Sequence, residues 1–156
     1  MIEIALPLRE PLRLQYLIVD MNGTVALDGE LLPGVRERLA ALSQVLEIWL
    51  ITADTQGTLA RVAPTLPVKV RPMEPGLGGP QKAALLEALG APQTAAIGNG
   101  ANDAEMLGRA AVGIAVLGPE GLAAACVNAA DVVAPSIEAA LDLLLHPRRL
   151  VATLRS

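Results

Sequence analysis

Six short apolar runs alternate with helix-patterned stretches along this chain, and that alternation constrains the fold more than any other feature. The runs are Tyr16–Val19, Leu46–Ile51, Val68–Val70, Thr94–Ile97, Val112–Val116 and Asp131–Val133. A helix opened by Pro33-Gly34 reaches Ser43. Further helices are expected over Gln56–Val62, Gln81–Leu89, Asn102–Arg109, Glu120–Asn128 and Ser136–Leu145. Strands alternating with helices of this length build βαβ units and hence a parallel sheet. Right-handed crossovers place helices on both faces. The expected fold is α/β and Rossmann-like, around a central parallel sheet.

Ahead of the first run, Ile2-Glu3-Ile4 alternates and Leu12–Val19 reads as a strand, with Pro7 and Arg9-Glu10-Pro11 between them. That pattern predicts a short N-terminal β-hairpin over residues 1–15. Residues 146–156 follow the last helix as a C-terminal tail. The 156 residues fit a single domain. Hydrophobic residues are 53% of the chain, yet there is no Phe, one Trp and one Tyr. The core must therefore be aliphatic, which suits strands buried on both faces.

Ligands gather at the carboxyl ends of the strands in an open parallel sheet, so the residues after each run carry the chemistry. The first run is followed by Asp20-Met21-Asn22-Gly23-Thr24, and the second by Thr52-Ala53-Asp54-Thr55. Lys82 stands near the start of the helix after the third, and Gly98-Asn99-Gly100-Ala101-Asn102-Asp103 follows the fourth. A carboxylate, a hydroxyl, an ammonium and an amide–carboxylate cluster thus converge on one rim. Phosphoryl transfer needs that set: a nucleophile, donors for the phosphoryl oxygens and ligands for a hard cation. Singly, each is weak, because Asp20 could cap a turn and Asn102-Asp103 could be a helix-capping pair. Their order and spacing carry the signal.

On these residues the chain resembles the haloacid dehalogenase (HAD) superfamily, whose motifs are a DxDGT-like strand end, a strand-end Ser/Thr, a Lys and a GDxxxD or GDGxND loop. More narrowly it is similar to the phosphorylation domain of P-type ATPases and to soluble P-type-ATPase-like HAD proteins. Ile51-Thr52-Ala53-Asp54 is similar to their TGD segment, Arg71 to Lys82 to their lysine segment, and Gly98 to Asp103 to their GDGVND loop. The resemblance implies an Mg²⁺-dependent phosphohydrolase or phosphotransferase working through an aspartyl-phosphate. Asp20 would be the nucleophile. Asn22 would give Mg²⁺ its backbone carbonyl, and Asp103 would be the acidic ligand, with Asn99 beside the metal. Thr52, Ala53 and Asn102 would bind the phosphoryl oxygens. Lys82 would balance the charge of Asp20 and the phosphoryl group.

Two positions depart from the family pattern. Asn22 stands where HAD phosphatases have the Asp that protonates the leaving oxygen, and an amide cannot exchange that proton near neutral pH. Slow turnover, a long-lived phosphoenzyme or a preference for good leaving groups is expected. Asn99 replaces the first Asp of the fourth motif, so weak Mg²⁺ affinity is expected. Asn22-Gly23 and Asn99-Gly100 are also dipeptides prone to deamidation. The competing reading is a catalytically weakened regulatory or binding module descended from such a domain.

Between Asp20 and Thr52, and between Thr52 and Lys82, the chain has no room for a cap domain, so an open pocket or one covered by another copy is expected. A receiver domain is disfavoured because no carboxylate directly follows Val70, and Asp103 occupies the third glycine position of a dinucleotide fingerprint. Net charge is −4, which argues against a nucleic-acid partner. No apolar run reaches membrane-spanning length, no signal-type segment opens the chain, and Cys126 is the only cysteine. The expectation is a cytoplasmic protein with a phosphorylated substrate, no membrane association and a possible homo-oligomer. Cys126 reads as a buried free thiol, and His146 as the end of a helix before Pro147.

Overall fold

In the computed structural model, which describes residues 1–7, 10–53, 62–74 and 76–155, the N-terminal hairpin forms as expected. β1 (Ile2–Ile4) pairs antiparallel with β2 (Leu12–Leu14), Ile4 opposite Leu12. Gln15 then passes the chain to the main sheet, its N–H donating to Gln93 O and its carbonyl accepting from Glu47 N. The run expected as one strand, Leu12–Val19, is therefore two, because its halves bond to different partners. β3 (Tyr16–Asp20) follows in the main sheet. β4 (Ala26–Leu27) and β5 (Glu30–Leu31) make a small antiparallel flap. Its Asp28-Gly29 turn has φ of 49° and 83°, the positive values a tight hairpin turn demands.

α1 (Val35–Leu42) leads to β6 (Glu47–Thr52), and β7 (Lys69–Pro72) to α2 (Gly78–Leu89). β8 (Thr94–Gly98), α3 (Ala104–Arg109), β9 (Val112–Val116), α4 (Ala124–Ala129), β10 (Val132–Ala134), α5 (Ile137–Leu145) and α6 (Pro147–Leu154) complete the chain. The six main strands run in the spatial order β10-β9-β8-β3-β6-β7, every pair parallel. The chain works outward from β3 to β7, then returns to add β8 on the other side of β3. That reversal opens a crevice at the carboxyl ends of β3 and β8.

Side chains alternate across the sheet, as the strand period requires. Leu17, Val19, Ile97 and Ile114 face one core with Leu39 of α1 and Leu141 of α5. Ile18, Ile51, Ala96 and Ala115 face the other with Leu86 of α2, Leu107 of α3 and Cys126 of α4. Both faces are covered, so the aliphatic composition has its structural counterpart. His146 ends α5, and Pro147 takes the first position of α6. Among the described residues, no helix is long and apolar enough to cross a membrane.

Three helix starts differ from expectation. α2 begins at Gly78, because glycine lets the helix approach Asn102: a Cβ at Gly78 would lie 3.0 Å from Asn102 Nδ2. Residues 101–103 form a 3₁₀ turn, and α3 starts only at Ala104. α4 starts at Ala124 rather than Glu120. Gly121 has φ +91°, and its N–H closes a turn on Gly118 O at 2.9 Å. Of the helix expected at Gln56–Val62 only Val62 is described, and Asp54, a possible orienting partner for Thr52 or Lys82, lies outside the described residues.

Candidate active site

The crevice beside β3 and β8 holds a cleft of about 240 Å³, and Asp20, Asn22, Ala53, Lys82, Asn99 and Asn102 line it. Six of the eight residues read from the sequence therefore share one surface. Thr52 is buried just behind it, and its Oγ1 accepts a hydrogen bond from Asn22 Nδ2 at 3.1 Å. Asp103 is fully buried beneath the floor.

Lys82 organises the floor. Its Nζ donates to Asp20 Oδ1 at 2.7 Å, to Asp103 Oδ1 at 2.6 Å and to Asn102 Oδ1 at 3.3 Å. Lys82 is 3% exposed. Burial opposes its charge, but the Asp20 and Asp103 carboxylates outweigh that and hold its pKa above the usual range. The Asp20 carboxyl moves the other way from a normal carboxylate. Burial and the charge of Asp103 push it up to about 7, against the pull of Lys82 and Thr24.

Asp103 is folded back under its own loop. Its Oδ2 accepts from Asn99 N and Gly100 N, both at 3.0 Å, while Oδ1 faces Lys82. Gly98 makes this fold possible, since a Cβ there would sit 2.4 Å from Asp103 Cγ. Cys126 donates its thiol to Gly100 O, and burial together with Asp103 pushes that thiol up to about 11, so it stays protonated at neutral pH.

Thr24 and Glu120 were not among the residues expected from the sequence. The buried Thr24 hydroxyl lies 2.9 Å from Asn99 Oδ1 and 3.5 Å from Asp20 Oδ2. Its single proton favours the shorter contact. Glu120 is exposed and lines the cleft beside Asn99 and Gly100. The signal for Thr24 was its place in the turn after the first strand. The signal for Glu120 was its place in the loop after Val116, at the same edge of the sheet.

A hard cation fits what is present. The accessible donors are oxygens, which Mg²⁺ prefers. With both acids ionised, Asp20, Asp103 and Lys82 together carry one uncompensated negative charge, while burial, and then the charge of Asp103, raises the Asp20 pKa. Among the described residues, Asp20 Oδ2 has only the 3.5 Å contact from Thr24. Among the described residues no three His, Cys, Asp or Glu side chains converge as a ready-made metal site, so a bound ion would keep waters in its shell.

The model of the haloacid dehalogenase-like hydrolase family matches residues 5–111 of this chain. An uncharacterised protein of Methanocaldococcus jannaschii is 48% identical over 60 residues, 38% of this chain; the match spans 64% of that relative's length. Among solved structures, the 3-deoxy-D-manno-octulosonate 8-phosphate phosphatase of Moraxella catarrhalis, in complex with magnesium, phosphate and the sugar acid, superposes with a TM-score of 0.67. It is 19% identical, over 91% of this chain and 94% of that one. A zinc-transporting PIB-type ATPase superposes with a TM-score of 0.59 at 20% identity, over 79% of this chain and 20% of the transporter. At these identities the two structures speak for the fold alone.

Proposed function

This chain belongs to the haloacid dehalogenase-like hydrolase family, and we propose that it is an Mg²⁺-dependent phosphohydrolase in which Asp20 forms an aspartyl-phosphate. The observation that carries this reading is the convergence of Asp20, Lys82, Asn22 and Asn102 on one cleft at the reversal of strand order. Mg²⁺, when bound, would offset the negative charge of Asp20 and the phosphoryl group. Asp20 and the Asn22 carbonyl would hold it.

In the first step an Asp20 oxygen forms a bond to phosphorus as the bond to the ester oxygen breaks. The leaving alkoxide takes its proton from water, because the Asn22 amide has none to give. In the second step water adds to phosphorus, the bond to Asp20 breaks, and inorganic phosphate leaves. Lys82 stabilises the charge throughout, and Asp103 keeps it aimed at Asp20. Thr52, the Ala53 backbone and Asn102 would orient the phosphoryl oxygens. Gly78, at the start of α2, brings a helix N-terminus to the same cleft, which favours an anion there.

A second reading, a regulatory module that binds phosphate but turns over poorly, draws support from Asn22. Its amide bonds to Thr52, and a carboxylic acid is missing where proton transfer would be needed. Hydrolysis of an aryl phosphate with Mg²⁺, wild type beside Asp20→Asn, tests the enzyme reading. Magnesium-dependent release lost in the variant, with phosphoprotein trapped by acid quench only in wild type, is the expected result. Equal activity in both proteins would overturn it.

A further inference from the structure

Position 99 is an asparagine for a reason visible in its bonds. Gly121 O can only accept, so the amide nitrogen of Asn99 must face it, at 3.0 Å. The amide oxygen then takes the Thr24 hydroxyl, at 2.9 Å. One side chain thus ties the turn after β3 to the turn after β9. The backbone adds a third tie, Ala123 N donating to Asn99 O at 2.9 Å. A carboxylate at position 99 would turn an acceptor toward the Gly121 carbonyl.

The turn held this way, residues 118–121, carries Glu120. Two glycines let it press against the Asn22-Gly23 corner. A Cβ at Gly118 would lie 2.5 Å from Gly23 O, and a Cβ at Gly23 would lie 2.3 Å from Glu120 Oε2 and 3.3 Å from Asn99 Nδ2. The Glu120 carboxylate therefore lies against the same peptide corner whose Asn22 carbonyl the metal reading uses. It also lines the cleft with Asp20, whereas Asp103 is fully buried with both oxygens bonded.

We propose that Glu120 supplies the second carboxylate of the divalent-cation site at Asp20, in place of the acid that position 99 lacks. Asn99 is then a positioning residue that delivers Glu120 rather than a charged ligand. The ion would then meet two carboxylates, Asp20 and Glu120, while Asp103 stays bonded to Lys82 and its own loop. Contact is direct or through one of the waters that Mg²⁺ retains. This inference rests on the reading of Asp20 as the metal-bound nucleophile.

Mn²⁺ binding by the full chain, without substrate, tests it by calorimetry and by the electron paramagnetic resonance of free Mn²⁺. Wild type, Asp20→Asn, Glu120→Gln and the control Glu105→Gln are compared. Glu120→Gln should weaken Mn²⁺ binding about tenfold or more, with Asp20→Asn weakened at least as much and Glu105→Gln unchanged. Glu120→Gln within about twofold of wild type, beside a weakened Asp20→Asn, would overturn the role of Glu120 and leave the Asp20 reading standing. Mn²⁺ bound equally by wild type and Asp20→Asn would overturn both. Glu120 is exposed, so its variant should melt with wild type.

Discussion

Lys82 Nζ lies 2.6 Å from Asp103 Oδ1 at the buried floor of the cleft, with Asp20 sharing the same ammonium at 2.7 Å. One cation is thus shared by two buried carboxylates. Replacing it with an isosteric apolar group, Lys82→Met, strands both acids. The variant should lose about 3–5 kcal/mol of stability near neutral pH, the usual cost of leaving a buried charge unpaired. Chemical denaturation measures this, and a loss below about 1 kcal/mol would contradict the pairing described.

The Asp20 carboxyl stands near 7 rather than its ordinary 3.8, chiefly through burial and the charge of Asp103. A carboxyl raised on folding binds its proton more tightly in the folded chain. Its contribution to stability is full below the unfolded pKa and is lost as pH climbs through the folded one. The metal-free protein should therefore fall in melting temperature as pH rises from about 6 to about 8. Asp20→Asn should flatten that interval. Identical slopes in the two proteins would show that Asp20 does not titrate there.

Asn22 faces the cleft as an exposed amide bonded to Thr52. If proton transfer limits turnover, Asn22→Asp should raise phosphatase kcat, by up to roughly 10²–10⁴-fold for a well-placed acid. The gain should be larger for alkyl than for aryl esters, whose leaving groups need less protonation. A steady-state comparison on one substrate of each kind checks this, and no gain on either would show that the amide at Asn22 does not limit turnover.

Asn99→Asp is the opposite case. It restores the family's usual carboxylate, yet it removes the donor to Gly121 O. We expect a loss of about 1–3 kcal/mol from the unmet buried bond and no increase in Mn²⁺ affinity. Tighter Mn²⁺ binding with undiminished stability would show that the amide is not needed to hold the turn.

Much of this was legible in the residues. Asp20, Thr52, Lys82 and Asn102 follow strands or open helices, and a parallel sheet gathers such positions at one edge, so topology turned a pattern into a place. Asp103 was legible as an acid but not in its orientation. That depends on Gly98 leaving space for a carboxylate folded back under its own loop. Glu120 was missed because Glu120–Asn128 has helix-forming composition. The positive φ of Gly121 and the tie to Asn99, both non-local in effect, keep residues 120–123 out of α4. A turn signal was present in Gly118-Pro119-Glu120-Gly121, but the partner that makes it useful stands about twenty residues upstream.

The contacts that assemble the cleft join remote parts of the chain: Lys82 to Asp20 across 62 residues, Thr24 to Asn99 across 75. Loops of that size must close before either bond can form, and closing them is the slow, entropically opposed part of folding. Regain of cation binding after dilution from denaturant should accordingly lag behind regain of helical signal. A nascent chain released before β8 would carry Asp20 but not the loop from Asn99 to Asp103 that completes the cleft.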